Sequence, residues 1–535
     1  MRRSCAATAN RNRRTVVVAD RYLMGVDIGT LGTKALIVSV NGEIRGSSLV
    51  EYGVLHPSPS WAEQWPEVWE NAVCQTIRES VRLASVHPDE IAGVCISGLY
   101  GGSGIPVDKE MSPLHPCLIW MDRRASDEVE WVRENADLDQ VFRTTGNYVD
   151  TYFGYTKILW IKRNLPDVWQ RIHKFIPPST YVAFRLTGEL AIDYSSAGNL
   201  GGLFDIRQLQ WSEEMSGMLG IPLEMMPKKI VPSTEVIGEI TPSAATRCGL
   251  TPGTPVVAGG VDAPMATLSA GATEPGENVA MMGTSTCWGV VHQGDSLAKK
   301  LVSMPHVVNC DREIYTWGGA ATSGGLIRWF RNEFGAAEVA RGETEGRDAY
   351  ELLDSDASNV RPGSDNLVVL PYFMGERAPV WDPHARGIVF GLSLYHSRAH
   401  VFRAFLESSA FSLRHSIEIG ENVGLGLQPE TKVVGGITKS RLWPQILADV
   451  TGRRISVPAG GVGAPLGGAL VAGLGVGLID DYRVIRDWSD ADAVFEPNAG
   501  NAGVYDRLYA IYRGVYSDTK QRMHELTTEG AERNA

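Results

Sequence analysis

A short turn near the amino terminus carries residue types that could hold a phosphate. The segment DIGTLGTK, residues 27–34, offers an aspartate, two glycines, two threonines and a lysine. Glycines let the backbone turn tightly and bring N–H groups close to an anionic oxygen, while hydroxyls and an ammonium add donors. The carboxylate at the end of the apolar strand could hold Mg²⁺ through water. The residues that carry this hypothesis are Asp27, Gly29, Thr30, Gly32, Thr33 and Lys34.

Three motifs further along the chain extend the hypothesis. In GGVDA, residues 259–263, the carboxylate of Asp262 follows a strand and a glycine turn. Gly283-Thr284-Ser285 is a second candidate phosphate turn, and Gly435-Gly436 ends a strand where an adenine or ribose could approach the backbone. Taken together, two Gly/Thr turns, a central aspartate and a later Gly-Gly turn indicate phosphoryl transfer, in which the protein positions groups and stabilises charge.

Each motif also has a plain structural alternative. Residues 27–34 could be an ordinary hairpin turn, because the GxxxxGK[ST] spacing of a P-loop is absent. From the residues alone, Asp262 is better explained as an aspartate that caps a helix than as a catalytic group. Gly435-Gly436 could equally be a plain strand-to-helix turn.

The elements that would position these motifs alternate between strands and helices. Residues 24–51 predict three strands, with Asn41-Gly42 as a hairpin turn. Apolar residues at a spacing of four predict a helix over 66–84. The fold class is therefore α/β with mixed sheets, as two similar domains facing one cleft, with a boundary near residues 250–275. Residues 130–250 are interpreted as an elaboration of the first domain.

Composition limits the class of protein. The 535 residues are 44% hydrophobic and 21% charged, with a net charge of -12, which argues against a nucleic-acid or acidic-membrane partner. Seven scattered cysteines without a CxxC pair argue against a disulfide framework or a zinc site and favour the cytoplasm. No apolar run reaches the roughly 18 residues that span a membrane. The Arg-rich residues 1–23 are interpreted as a disordered tail, or as residues that precede the natural first residue, Met24.

Eight segments, in order, resemble the FGGY family of carbohydrate kinases, relatives of the actin, sugar kinase and Hsp70 ATPase superfamily. The resemblance implies two ribonuclease-H-like domains that close over ATP, Mg²⁺ and a sugar or polyol. The domains expected are 24–272 and 273–516, followed by a polar tail over 517–535. The matching segments are VDIGTLGTKALIV, SWAEQWPEVWE, CLIWMDRRA, FRLTGELAIDYSSAG, GGVDAPMATLSAG, LPYFMGERAPVWDPHARGIVFGLS, RAFLESSAFSLRHSIE and VVGGITKSRLWPQILADVTG.

The resemblance also implies roles for individual residues. Asp262 matches the general base of the family, which reverses the interpretation from the residues alone, and Asp27 matches a residue near the metal. Arg377 and Arg386 are interpreted as structural residues. The positions that match phosphate-loop and nucleotide contacts are Gly29, Thr30, Gly32, Lys34, Gly283, Thr284, Gly324, Gly436 and Ser440.

The substrate loop departs from the better-known members. At this loop, the family pattern is similar to Gln-Met-His-Gly in xylulose kinases and to Asn-Gln-Arg-Glu in glycerol kinases. This chain has Leu99-Tyr100-Gly101-Gly102 instead. Tyr100, Gly101, Trp120, Asp122 and Asp262 are the predicted substrate contacts. Trp120 could equally be a packed aromatic and Asp122 part of a surface salt bridge. A ketopentose such as xylulose or ribulose ranks first, then a polyol, then a hexulose, and glycerol is disfavoured. A non-catalytic sugar- and ATP-binding regulator is the alternative from another class, and a homodimer is left open.

Overall fold

The structure is a computed structural model that describes residues 21–459, 463–489 and 491–532, with side chains described as far as residue 527. Most of the tail predicted over residues 1–23 therefore lies outside the described residues. The first strand, β1, begins at Tyr22, two residues before the predicted start of the first domain at residue 24.

The chain folds into an α/β structure with two large sheets, as predicted. The strands are β1 Tyr22–Ile28, β2 Gly32–Ser39, β3 Ile44–Glu51, β4 Glu63–Gln64, β5 Ile91–Gly98, β6 Ile105–Val107, β7 Cys117–Leu118, β8 Lys174–Ile176, β9 Ile192–Asp193, β10 Phe204–Asp205, β11 Gln210–Trp211, β12 Ile230–Val231, β13 Val236–Glu239, β14 Pro255–Val261, β15 Asn278–Met282, β16 Thr286–His292, β17 Val302–Pro305, β18 Ile314–Gly318, β19 Val368–Leu370, β20 Ile388–Phe390, β21 Glu430–Val434, β22 Arg454–Pro458 and β23 Ala491–Phe495.

Helices cover and connect these sheets. The α-helices are α1 Pro66–Ala84, α2 Ser126–Asn135, α3 Leu138–Thr145, α4 Gly154–Asn164, α5 Pro166–Trp169, α6 Pro178–Thr187, α7 Tyr194–Asn199, α8 Glu213–Leu219, α9 Pro242–Cys248, α10 Asp262–Ser269, α11 Gly324–Phe334, α12 Ala336–Glu345, α13 Ala349–Ser358, α14 Arg398–Asn422, α15 Leu442–Thr451, α16 Ala464–Gly475, α17 Ile485–Trp488 and α18 Ala502–Glu532. Short 3-10 turns lie at Pro88–Glu90, Leu223–Met225, Ser364–Asn366, Gly436–Lys439, Tyr482–Val484 and Ala499–Asn501.

The sheet of the first half has the order β13-β14-β5-β1-β2-β3. β1, β5 and β14 are parallel, so their carboxyl ends meet at one edge of the sheet. The predicted hairpins are confirmed, because β1 pairs with β2 and β2 with β3 in antiparallel register. The predicted helix is confirmed as α1, with Trp69, Val73 and Ile77 fully buried against the sheet.

The sheet of the second half has the order β17-β18-β16-β15-β21-β22-β23. It begins, like the first sheet, with an antiparallel hairpin, here β15 and β16, whose first strand runs parallel to a later strand, β21. This similarity bears out the expectation of two related α/β domains. α14, α15 and α18 pack beside it and bury a core that includes Phe405, Phe411 and Tyr512.

One helix from the second half of the sequence packs on the first sheet. Residues of α16 share a core with Leu23 of β1 and Cys95 of β5. The approach is so close that a Cβ on Gly25 would lie 1.7 Å from the carbonyl oxygen of Pro465. The two domains are therefore not two separate stretches of sequence, because the last third of the chain returns to support the first strand.

The carboxyl-terminal segment differs from the prediction. A boundary was expected at residue 516 with a polar tail after it, but α18 continues to Glu532. Met523 is buried in the core of the second domain, and Asp382 accepts hydrogen bonds from Tyr516 and contacts the His524 ring. Packed side chains beyond residue 516 make this segment the last turns of a domain helix.

A disulfide also differs from the prediction. The structure bonds Cys74 of α1 to Cys248 of α9, with their Cα atoms 4.2 Å apart. The two cysteines are 174 residues apart in the sequence, and only the packing of α1 against α9 brings them together. Sequence spacing therefore gave no indication of the pair.

No helix in the described part of the chain is both long and apolar enough to cross a membrane. Within the same residues, no group of three or more His, Cys, Asp or Glu side chains is arranged to hold a metal ion.

Candidate active site

A cavity of about 340 Å³ lies where the two halves of the molecule face each other. Its first wall is the edge at which the parallel strands β1, β5 and β14 end, and the side chains that follow these strands point into it. Its second wall comes from β15, β16, β18 and the segment after β19. The lining residues that carry the argument are Asp27, Thr30, Tyr100, Trp120, Asp262 and Arg377. We call it the sugar-side cavity.

Two carboxylates face this cavity. Asp27, at the end of β1, accepts a hydrogen bond from the Ser97 hydroxyl at 2.7 Å. Asp262, the first residue of α10, accepts one from its neighbour's amide, Ala263 N, at 2.7 Å. Because Val261 holds the N-cap position, Asp262 is not the cap of this helix. Its carboxylate is therefore available to a ligand, as the general-base hypothesis requires.

Burial makes both carboxylates unusually basic. Burial raises the pKa of Asp262 to about 8, and the nearby negative charge of Asp27 adds to the effect. Burial also raises the pKa of Asp27 to about 6, against the opposing influence of the Ser97 hydroxyl and the Lys34 charge. A carboxylate with a pKa close to neutral is well matched to accepting a proton from a hydroxyl group.

The first Gly/Thr turn contributes one side chain to the cavity. Thr30 lines it, and its hydroxyl accepts a hydrogen bond from the Trp120 indole N–H at 2.9 Å. Gly29 N–H donates to Gly32 O at 3.0 Å, which closes the turn. Lys34 is exposed on β2, beside Asp27 in the strand register.

Thr33 does not fit its predicted role in phosphate binding. Its side chain is fully buried, and its hydroxyl is hydrogen-bonded to the Tyr52 hydroxyl at 3.0 Å. Since residues alternate faces along a strand, the position after Gly32 turns inward. Thr33 therefore stabilises the hairpin from inside.

A second cavity of about 450 Å³ lies wholly within the second half of the chain. Five of the predicted nucleotide contacts line it, together with apolar side chains that include Ile437 and Trp443. We call it the nucleotide-side cavity. The predicted residues on its wall are Gly283, Thr284, Gly324, Gly436 and Ser440.

The turn between β15 and β16 separates the two cavities. Gly283 and Thr284 line the nucleotide-side cavity, whereas the next residue, Ser285, lines the sugar-side cavity. The start of α11 closes tightly on this turn, because Gly324 N–H donates to Gly283 O at 2.9 Å. A Cβ on Gly324 would lie 2.5 Å from that oxygen, so only glycine fits. A phosphate chain could pass between the cavities along this turn.

Gly435 was predicted to contact the nucleotide but serves packing. Its φ is +108°, and a Cβ there would lie 2.4 Å from Met282 O on the neighbouring strand. The glycine lets β21 end against β15, and Gly436 after it is the residue that reaches the cavity.

Two of the five predicted substrate contacts do not line the sugar-side cavity. The side chain of Asp122 is fully buried, and its oxygens accept hydrogen bonds from the Arg124 guanidinium and from Ala62 N. Gly101 has a φ of +87°, and a Cβ there would lie 2.6 Å from the Tyr152 ring. Asp122 therefore stabilises a buried ion pair, while Gly101 makes room for a tyrosine.

Several side chains in the cavity had no signal in the sequence. Tyr152 lies just before α4, and its hydroxyl donates to Asn199 Oδ1 at 3.0 Å at the end of α7. Both belong to the elaboration of residues 130–250 and follow no recognisable motif. Trp317, on β18, packs edge-on against Tyr152 with ring centroids 5.4 Å apart.

Arg377 connects the two walls of the cavity. Its guanidinium lies 5.0 Å from the Trp120 ring and 5.6 Å from the Trp317 ring. Its Nη2 donates to Thr286 O and Ala320 O, at 3.1 and 3.0 Å, which fixes it to the second half of the chain. The interpretation of Arg377 as purely structural is too narrow, because the same side chain also lines the cavity.

Comparison with known proteins agrees with this architecture. Residues 22–269 match the model of the FGGY family of carbohydrate kinases, N-terminal domain, and residues 278–476 match the C-terminal domain. The chain is 30% identical to a gluconokinase of Bacillus subtilis over 92% of its length and 94% of that protein. It is also 30% identical to a xylulose kinase of Lactococcus lactis, over 94% of its length and 98% of that protein.

Solved structures give the same result. A xylulose kinase from Rhodospirillum rubrum superposes with a TM-score of 0.84 at 29% identity, covering 94% of this chain and 100% of that one. A gluconate kinase from Lactobacillus acidophilus superposes with a TM-score of 0.84 at 25% identity, covering 94% and 98%. With both family domains matched in order around one cleft, the chain belongs to the FGGY family of carbohydrate kinases.

Proposed function

We propose that the protein transfers the γ-phosphoryl group of ATP to a hydroxyl group of a ketopentose of the xylulose or ribulose type. The observation that carries this proposal is the position of Asp262. Its carboxylate lies in the sugar-side cavity, beyond the one turn that separates this cavity from the nucleotide-side cavity. The similarity to xylulose kinases over nearly the whole chain supports the choice of acceptor.

Asp262 acts as the general base. Its carboxylate accepts the proton of the sugar hydroxyl as the oxygen attacks the γ-phosphorus, and the bond from that phosphorus to the β–γ bridging oxygen breaks to release ADP. Thr30 on one side and the Thr284 backbone N–H on the other donate hydrogen bonds to the phosphates, while the Gly283 N–H closes its own turn by donating to Ser285 O at 3.0 Å. Tyr100, Tyr152 and Asn199 hold the sugar, with the Trp120 ring as an apolar floor.

The donor set of the sugar-side cavity also fits Mg²⁺. Magnesium in phosphoryl-transfer sites is held by one or two carboxylates together with phosphate and water oxygens. Asp27 and Asp262 supply two carboxylates whose pKa values are raised by burial, a cost that a bound cation would offset. Asp27 would hold the ion, which neutralises phosphate charge when bound.

A sugar acid is the second candidate acceptor. The similarity to gluconokinases is as strong as that to xylulose kinases. A specific observation also favours it, because Arg377 places a buried cation on the cavity wall and its Nε has no hydrogen-bond partner among the described residues. A carboxylate or a ketose carbonyl could accept from this guanidinium, so the two acceptor classes compete for one site.

The test is an assay of ADP release with Mg²⁺ and ATP over xylulose, ribulose, pentitols, hexuloses, gluconate and glycerol. We expect turnover with one ketopentose above all, and a loss of at least about a thousandfold in kcat for Asp262→Asn. The matched control is Asp311→Asn, because the Asp311 side chain is 65% exposed and lines neither cavity. Gluconate as the best acceptor would reject the ketopentose, and near-normal turnover of Asp262→Asn would reject the base.

A further inference from the structure

The proposed reaction fixes the orientation of the nucleotide in the nucleotide-side cavity. The γ-phosphoryl group has to reach Asp262, so the phosphates lie at the turn that borders the sugar-side cavity, beside Gly283 and Thr284. The nucleoside is then left to the rest of the cavity, which is formed by α13, α14 and the segment that leads into α15. This direction rests on the function proposed above.

One carboxylate in that nucleoside region has no obvious structural purpose. Asp354, on α13, lines the cavity together with apolar side chains that include Ile327 and Trp443. Other acidic groups nearby are explained, since Asp348 caps α13 by accepting from Tyr350 N at 2.8 Å. Arg328 and Lys439 line the same cavity, but among the described residues no lysine, arginine or histidine forms an ion pair with Asp354. A half-buried carboxylate is costly unless hydrogen-bond donors reach it.

The raised pKa of Asp354 agrees with a missing hydrogen-bond donor at its carboxylate. Burial raises the pKa of Asp354 to about 6, and the charge of Asp348 adds to this, while the hydroxyl of Ser440 partly opposes it. Ser440 is one of the residues expected to contact the nucleotide and lines the same cavity. The carboxylate therefore has one partner, the Ser440 hydroxyl, and further acceptor capacity on the wall of the cavity where the nucleoside fits.

We propose that Asp354 is a specificity-determining residue for the phosphate donor, whose carboxylate accepts a hydrogen bond from a donor group of the bound nucleoside. In ATP such donors are the ribose hydroxyls and the 6-amino group of adenine. Either would complete the hydrogen bonding of Asp354, and a hydrogen bond to a charged acceptor is worth more than one between neutral groups.

The first experiment measures the binding of ADP and ATP by titration calorimetry, without sugar, to the full chain and to Asp354→Ala. We expect the Kd to rise about tenfold or more, because a charge-assisted hydrogen bond is lost. Alanine is a strong helix former at this partly exposed position of α13, so the variant should fold. The matched control is Asp356→Ala, two residues along the same helix and outside the cavity, which should leave the Kd unchanged.

The second experiment identifies the donor group by comparing nucleotide analogues. 2′-Deoxy-ATP and 3′-deoxy-ATP each lack one ribose hydroxyl, and inosine triphosphate lacks the 6-amino group. The analogue without the critical group should bind the wild-type protein about tenfold more weakly than ATP. It should lose nothing further in Asp354→Ala, because the two changes remove the same hydrogen bond.

The outcomes separate this inference from the proposed function. An unchanged Kd in Asp354→Ala, or equal losses for every analogue in both proteins, would overturn the role of Asp354. The absence of ADP release with any sugar would count against the proposed reaction, while the calorimetry would still decide the nucleoside contact. A wild-type protein that binds neither ADP nor ATP would overturn both.

Discussion

At the scale of single residues, the carboxylates Asp27 and Asp262 give the site its chemistry. Burial makes both more basic than an exposed aspartate, and their mutual repulsion favours one proton on the pair. The sequence indicated both residues, because each follows a strand at a glycine turn and matches a family segment. It could not indicate Tyr152 or Asn199, since neither follows a motif and only the packing of α4 and α7 brings them to the cavity.

The pH dependence of the reaction should report on Asp262. The base must be deprotonated, and burial raises its pKa to about 8, so activity is lost as the pH falls below that value. We expect kcat/KM for the sugar to rise with pH from about 6, to be half-maximal near pH 8 and to level off above about pH 9, as measured in the ADP-release assay. A flat profile from pH 6 to 9 would contradict this assignment.

The burial of the Asp262 carboxylate predicts that the Asp262→Asn variant is more stable than the wild-type protein. The folded-state pKa of Asp262 lies above its unfolded value of 3.8, so its ionisation favours the unfolded chain as the pH rises from about 4 to 8. Asp262→Asn removes this cost. In thermal unfolding without ligands, its Tm should exceed that of the wild type at pH 7.5, and the difference should shrink towards pH 4. A lower Tm for the variant at pH 7.5 would contradict the expectation.

At the scale of elements, a buried lysine on α4 holds the sugar-side wall in shape. Lys157 is fully buried, and its ammonium donates to Gly101 O, Thr151 O and Tyr152 O at 2.8, 2.6 and 2.7 Å. Three bonds from one ammonium fix the substrate loop against the turn that carries Tyr152. This link explains why Gly101, which has no side chain to offer, still belongs to the architecture of the site.

Lys157→Met should therefore affect the sugar more than the nucleotide. We expect the KM for the sugar to rise at least about tenfold while the KM for ATP stays within about twofold, because the nucleotide-side cavity is untouched. The control is Lys174→Met, which removes another buried lysine that donates to backbone carbonyls, those of Glu224 and Met226. Both variants should lose stability, but the sugar KM should change in only one. Equal changes of the sugar KM in both variants would mean that Lys157 only stabilises the fold.

The strands and helices themselves were largely predictable. Glycine turns, the Asn-Gly hairpin and the apolar spacing in α1 are local signals, and the structure confirms each of them. The errors concern side-chain direction and long-range contact. The Thr33 side chain turns inward, although the neighbouring residues suggested that it binds a ligand. The helix α18 continues past residue 516, and its contacts with Asp382, which is distant in the sequence, gave no local signal.

At the scale of the whole molecule, a contact between an arginine and a tryptophan joins the two halves across the cleft. Arg377 is fixed to the second half of the chain by two backbone carbonyls, and its guanidinium faces Trp120 of the first half. Trp120 in turn donates to Thr30 in the first Gly/Thr turn. A contact between the halves thus reaches the group expected to bind phosphate. The sequence placed these residues in separate family segments and gave no indication of the contact.

Arg377→Lys should weaken this bridge while it keeps the charge, because an ammonium cannot stack on an indole as a planar guanidinium does. We expect kcat to fall about tenfold or more, and hydrolysis of ATP without sugar to rise relative to sugar phosphorylation, because water is excluded less well. Both rates can be measured by ADP release. A variant with wild-type rates for both reactions would show that the contact does not contribute to closure.

The division of the site by one turn has a consequence for how such proteins diversify. The nucleotide-side cavity takes all its lining residues from 282–443, whereas Tyr152 and Asn199 of the sugar-side cavity come from the inserted helices between the strands of the first sheet. Mutations in that insertion can alter the acceptor while the energy source stays the same. Selection can therefore test new acceptors without altering nucleotide binding, by varying only the side of the turn at residues 283–285 that faces the sugar.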